Sequence, residues 1–72
     1  MTKEEKIELL EETMDLEEGT LSEDMRLEDL AEWDSITKLA IIVMIDDEFD
    51  KTITANDIKK FIFVKDIIEI ME

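Results

Sequence analysis

Polar and apolar positions in the first fifteen residues recur with a helical period. The residues on the apolar face are Ile7, Leu10 and Met14. Before them, Thr2 and Glu5 match a capping box, in which the threonine hydroxyl accepts a free backbone N–H and the glutamate reaches back. The pattern predicts an amphipathic helix over residues 3–15 that ends near Gly19, which can adopt a left-handed conformation.

Residues 19–34 keep neither the period of a strand nor that of a long helix. We expect a long loop here, which in so small a domain is often functional. Leu27 and Leu30 are expected to anchor this loop to the core. The strongest helical pattern in the chain follows it, over residues 35–50.

Two shorter helical segments complete the pattern. Thr54 and Asp57 are spaced as a cap for a third helix over residues 55–61, and apolar residues recur at helical spacing over residues 64–71. The sequence therefore predicts an all-α fold: a small four-helix bundle of three longer helices and one short helix, with a long loop between helices 1 and 2. Residues 1–72 are expected to form a single domain, because a chain of this length has no room for a second core.

The helix over residues 35–50, with Asp34 or Ser35 as its N-cap, has two apolar sides. One stripe is wide enough to face the core and consists of Ile41, Ile42, Ile45 and Phe49. The opposite side is apolar at its start and acidic at its end: Ile36, Ala40 and Val43 flanked by Leu39 and Met44, then Asp46, Asp47 and Asp50. Either the long loop buries the first two turns all round, or this side is an apolar docking surface whose acids steer a basic partner.

The charge balance excludes several classes of function. With 8 basic and 22 acidic residues the chain has a formal charge of −14, which repels nucleic acid phosphates and anionic membrane surfaces. It contains no Cys and no His, which excludes thiolate metal sites, cysteine nucleophiles and histidine acid–base catalysis. We therefore expect a protein that is not an enzyme and whose partners are basic protein surfaces or divalent cations. No apolar run is long enough to span a membrane, and a cytoplasmic location is the default expectation.

Ser35 is the residue on which a specific function depends. It begins the strongest helix, where unpaired backbone N–H groups and the positive end of the helix dipole favour a phosphate. By itself, a serine at such a position is most often an ordinary N-cap. Here it lies in the run Leu30-Ala31-Glu32-Trp33-Asp34-Ser35-Ile36, and the acidic run Met44-Ile45-Asp46-Asp47-Glu48-Phe49-Asp50 follows.

These runs resemble the acyl carrier protein family, whose modification motif is Asp-Ser-Leu or Asp-Ser-Ile at the start of the second helix. The resemblance covers essentially the whole chain and is most specific over residues 30–53. It implies that a phosphopantetheinyl transferase attaches 4′-phosphopantetheine from coenzyme A to Ser35, and that the thiol of this arm carries an acyl group as a thioester. It also implies that Asp34 assists the modification by helping to hold the metal ion of the transferase.

The resemblance assigns two further surfaces. Acyl-loading and acyl-processing enzymes with basic docking surfaces would contact Ile36, Leu39, Ala40, Val43, Asp46 and Asp47. Acyl chains in this family can enter the space between the helices, with Ile41, Ile45 and Ile58 as candidate cavity walls. The carrier is expected to act as a monomer, with no nucleic acid partner, no membrane insertion and no metal ion of its own.

Several positions depart from the family pattern. The family often has acids where this chain has Thr37 and Ala40, and Pro where it has Thr54. Lys38 is basic and projects towards the core stripe, so its stem must lie along apolar surface. These departures favour a dedicated carrier for one fatty-acid, polyketide or related biosynthetic pathway over a general fatty-acid synthesis carrier.

Two other functions fit parts of the sequence. The first is a calcium-binding EF-hand, because Asp46, Glu48, Asp50 and Asp57 match loop positions one, three, five and twelve. However, Lys51 stands where that loop needs Gly, and its last position lacks the bidentate Glu. The second is an acidic protein-interaction module that carries no covalent arm.

Overall fold

Four α-helices make up most of the regular structure of the computed structural model, which describes residues 1–71. They are α1 (Lys3–Thr13), α2 (Ser35–Phe49), α3 (Ala55–Lys60) and α4 (Val64–Ile70), and a 3₁₀ turn spans Leu27–Asp29. Helix α1 packs against α2 and α4, and α2 packs against α3. The predicted all-α bundle with a long loop between its first two helices is confirmed.

The capping box at the start of α1 is present as predicted. The Thr2 hydroxyl accepts a hydrogen bond from the Glu5 N–H at 3.2 Å, and the Glu5 carboxylate accepts one from the Thr2 N–H at 3.0 Å. The third helix begins with the same arrangement, in which Asp57 accepts the Thr54 N–H at 2.9 Å and Thr54 accepts the Asp57 N–H at 3.3 Å.

The predicted end of α1 is wrong by two residues. The helix stops at Thr13, and Asp15 adopts the left-handed conformation with a φ of 57°. The Leu16 N–H then bonds to the Glu11 carbonyl at 2.8 Å, which completes a Schellman-type end. An aspartate tolerates this conformation because its short polar side chain can bond locally. Gly19, with a φ of 89°, shapes the loop and does not end the helix.

The core lies between the four helices and the long loop. Its fully buried side chains are Leu10, Leu27, Ile41, Ile45, Ile58, Val64, Ile67 and Met71. From the predicted core stripe of α2, Ile42 and Phe49 are half-buried and pack against this cluster. The sequence placed Met44 beside the opposite, exposed side, but it is buried, because α1 covers that flank of α2 with Leu9 and Thr13.

The long loop is held to the bundle at two places along its length. Leu27 is only 1% exposed, and Leu30 packs against the core, so their predicted anchoring role is confirmed. The Leu27 N–H also donates to the Ile62 carbonyl at 2.9 Å, which joins the loop to the segment between α3 and α4. Nearer its start, the buried Glu11 carboxylate accepts the Leu21 N–H at 2.9 Å.

Charged caps and crowded acids give the fold opposing responses to pH. Backbone N–H hydrogen bonds at the starts of all four helices lower the pKa of their acceptors. These acceptors are Glu5, with an ordinary value of 4.5, and Asp34, Asp57 and Asp66, with an ordinary value of 3.8. By contrast, the neighbouring Glu18 carboxylate raises the pKa of Glu8 above its ordinary value of 4.5. Acidification therefore first relieves the repulsion between Glu8 and Glu18, and only at lower pH neutralises the carboxylates that cap the helices.

We expect the melting temperature to rise and then fall as the solution is acidified from neutral pH. Above pH 4.5 the folded chain binds a proton at Glu8 more readily than the unfolded chain does, so stability increases. Below pH 3.8 the caps bind protons less readily when folded, so stability is lost as they are neutralised. Circular dichroism melts across this range test the profile. Glu8→Gln should flatten only the rise, and a melting temperature that climbs continuously below pH 3.8 would contradict the role of the caps.

Candidate functional site

Ser35 is the first residue of α2, and its side chain is exposed. The sequence left the N-cap open between two residues, and the structure assigns it to Asp34. The Asp34 Oδ1 accepts the Thr37 N–H at 2.8 Å. Because the aspartate satisfies this helix donor, the Ser35 hydroxyl is not needed as a cap and faces solvent.

The electrostatics at this helix end combine a fixed negative charge with free donors. The Thr37 N–H holds the pKa of Asp34 below 3.8, so its carboxylate is charged at neutral pH. The remaining N–H groups of the first turn of α2 have no partner within the helix, and the dipole of a 15-residue helix points its positive end here. A phosphoester on Ser35 would lie beside these donors.

An apolar surface on α2 extends away from Ser35. We call it the docking patch after the role predicted for it, and it consists of Ile36, Leu39, Ala40 and Val43. Ile36 is 80% exposed, Leu39 62% and Val43 51%. The alternative in which the long loop buries the first two turns all round is therefore wrong. The patch forms one wall of a shallow groove of about 700 Å³ between α1 and α2.

Acidic side chains line the same groove, although not all of the expected ones. Asp47 lies in it with the docking patch, together with Glu48 and with Glu12 from α1. Asp46 is exposed but does not line the groove. Glu12 was missed because the pattern of α1 alone does not show which of its polar residues lie beside α2.

A second groove, of about 320 Å³, lies between α2 and α3 beside Ser35. Its lining residues are Ser35, Lys38, Leu39, Ile42, Ala55, Ile58 and Lys59. Of the three candidate cavity walls, Ile58 lines this groove, whereas Ile41 and Ile45 are fully buried in the core. The sequence assigned Ile42 to the core stripe and did not single out Lys59, because the contribution of α3 depends on how this short helix packs against α2.

No family model, curated protein or solved structure matches the chain.

The segment that resembles an EF-hand loop has a different structure. Asp46 and Glu48 lie in α2, and the Asp57 carboxylate caps α3. Asp50, in the left-handed conformation, closes α2 by donating its N–H to the Asp46 carbonyl at 3.1 Å. These acids therefore do not surround a common centre. Over residues 1–71 as a whole, no group of three or more acidic side chains is arranged to hold a metal ion.

None of the helices described over residues 1–71 is both long and apolar enough to cross a membrane.

Proposed function

We propose that the chain is an acyl carrier protein. It carries acyl groups as thioesters on a 4′-phosphopantetheine arm attached to Ser35 and presents them to enzymes of a dedicated fatty-acid, polyketide or related biosynthetic pathway. The observation that carries this proposal is the exposed serine at the first position of the longest helix, next to an aspartate that relieves it of the capping role.

The site suits modification by another protein better than catalysis of its own. In the transfer, the Ser35 oxygen forms a bond to the phosphorus of coenzyme A that bears the pantetheine. The pyrophosphate bond between this phosphorus and the nucleotide breaks, the nucleotide leaves as adenosine 3′,5′-bisphosphate, and the serine proton passes to a base of the transferase. The chain has no His or Cys to activate the hydroxyl, so the transferase supplies that base. In this proposal the charged carboxylate of the preceding residue, Asp34, helps to bind the metal ion of the transferase.

The docking patch accounts for how such a carrier would be recognised. Exposed apolar side chains on α2 provide contact area, and Asp47 and Glu48 beside them attract Arg or Lys of a partner enzyme. In this proposal the carrier is a cytoplasmic monomer that serves its transferase, its acyl-loading enzyme and its acyl-processing enzymes in turn. It binds no nucleic acid and does not insert into a membrane.

Intact-protein mass spectrometry tests the proposal directly. After incubation with coenzyme A and a broad-specificity phosphopantetheinyl transferase, we expect the chain to gain the mass of one phosphopantetheine group. Fragmentation should place this gain on Ser35 and not on Ser22. With acyl coenzyme A as donor, the acyl mass should be added as well, and hydroxylamine should remove it as expected of a thioester. No gain with several active transferases would contradict the carrier function.

Reversal of the acidic charges beside the docking patch should slow this modification. We expect Asp47→Lys combined with Glu48→Lys to lower the kcat/KM of the transferase about fivefold, since two rim charges contribute on the order of 1 kcal/mol to encounter and docking. The difference should shrink at high salt. Glu17→Lys combined with Glu18→Lys changes the net charge equally in the loop after α1. An equal loss in this control pair would show that net charge matters and that the patch does not.

A further inference from the structure

The groove between α2 and α3 combines an apolar floor with two lysine side chains. Ile42 and the 2%-exposed Ile58 contribute carbon surface, and Lys38 and Lys59 line the groove from opposite helices. The chain has 8 basic residues against 22 acidic ones. Two lysines that line one groove next to Ser35 are therefore an exception to the acidic surface.

Neither lysine is neutralised by a neighbouring acid. Within residues 1–71, the ion pair formed is Lys3 with Glu23, and no carboxylate lies within ion-pair distance of Lys38 or Lys59. The Lys38 ammonium instead lies 5.6 Å from the centre of the Trp33 ring, a contact that leaves its charge intact. Neither positive charge is therefore paired with a carboxylate, and both lysines belong to residues that line the groove.

We propose, on the basis of the carrier function above, that this groove holds a short acyl group that ends in a carboxylate. The carbons of the acyl group contact Ile42 and Ile58, and the carboxylate pairs with Lys38 and Lys59. The volume of about 320 Å³ is at the small end of ligand pockets, which suits a short group better than a long fatty chain.

The phosphodiester of the arm is the other anion that could reach these lysines. It would be fixed on the Ser35 oxygen, where the N–H groups of α2 already favour it. Lys59 belongs to the opposite wall, on α3, and apolar side chains lie in the groove between the two helices. This arrangement fits an anion at the far end of a carbon chain better than one bound directly to α2.

Loading the full-length chain with matched donors tests the assignment. The transferase is supplied with coenzyme A, butyryl coenzyme A or succinyl coenzyme A, so that the last two acyl groups have four carbons and differ in the terminal carboxylate. Mass spectrometry first verifies each product. Melting temperatures and amide resonances of α2 and α3 are then compared for the wild type and for Lys38→Gln combined with Lys59→Gln. Lys60→Gln, next along α3 and outside the groove, is the control.

We expect the succinyl form to melt at least about 2 °C above the butyryl form at low salt, as one partly exposed ion pair would give in a chain of this size. Its resonances should shift most around the groove. The Lys38 and Lys59 variant should lose this difference, the Lys60 control should retain it, and high salt should reduce it.

Other outcomes separate the two proposals. If succinyl and butyryl forms behave alike while the lysine variant already alters the form that carries only the arm, the phosphodiester is the bound anion and the inference is overturned. If the succinyl and butyryl forms behave alike and the lysine variant changes neither the melting temperature nor the resonances of any form, the inference is also overturned, and the carrier function stands. If no donor adds mass to Ser35, the carrier function fails and the inference fails with it.

Discussion

Ser35→Ala is expected to abolish modification by phosphopantetheinyl transferases completely, because it removes the oxygen that forms the bond to phosphorus. The helix itself should be unaffected. Asp34 provides the cap, and alanine is a better helix former than serine, so the free energy of unfolding should stay within about 0.5 kcal/mol of the wild type. Mass spectrometry and urea denaturation of the same sample measure both quantities.

Ser22→Ala is the matched control for this prediction, since Ser22 is the only other serine of the chain and is exposed in the long loop. It should be modified as fast as the wild type. A full mass gain in Ser35→Ala would instead place the arm on another residue. If the wild type gains no mass and Ser35→Ala still binds a natural partner normally, the unmodified acidic interaction module becomes the better explanation.

Local chemistry is what made the helices predictable from sequence. The caps at Thr2 and Thr54 each depend on a partner three residues away, and such pairs appear as spacing in the chain. The exposed position of Ser35 followed from the same reasoning, because a helix start is a local feature. The left-handed Asp15 was not predicted, because Gly is the usual residue at such a helix end.

Contacts between distant segments are what the sequence could not show. Glu11 lies on α1 among other acids, and its pattern gives no sign that it is buried as the acceptor of the Leu21 N–H. The groove beside Ser35 also depends on contacts between segments that are distant in the sequence. Lys38 was recognised as unusual, but Lys59 lines the same groove only because α3 packs against α2.

The periodicity of α2 also does not show which of its isoleucines are buried, because this depends on how the helix packs. Ile36 and Ile41 belong to the same helix and have the same side chain, yet Ile36 is 80% exposed and Ile41 is fully buried. Assigning Ile41 to a cavity wall required knowing where α3 lies. The structure places Ile42 beside the groove and Ile41 in the core.

This pair of isoleucines supports the prediction with the largest expected effect on stability. Ile41→Ala should lower the free energy of unfolding by about 2–5 kcal/mol, because it removes buried carbons and leaves a cavity between helices that can close only in part. A domain of this length has a total stability of only about 4–11 kcal/mol. Much of the variant should therefore be unfolded at moderate temperature.

Ile36→Ala makes the same chemical change on the exposed docking patch, so it should alter the free energy of unfolding by no more than about 0.5 kcal/mol. Urea denaturation followed by circular dichroism measures both variants in one assay. Helix propensity cannot separate them, since both exchange isoleucine for alanine within α2. The difference between their free energies of unfolding measures how much the packing of α2, the helix that begins at Ser35, stabilises the bundle. Equal losses in the two variants would mean that the core face of this helix has been assigned to the wrong side.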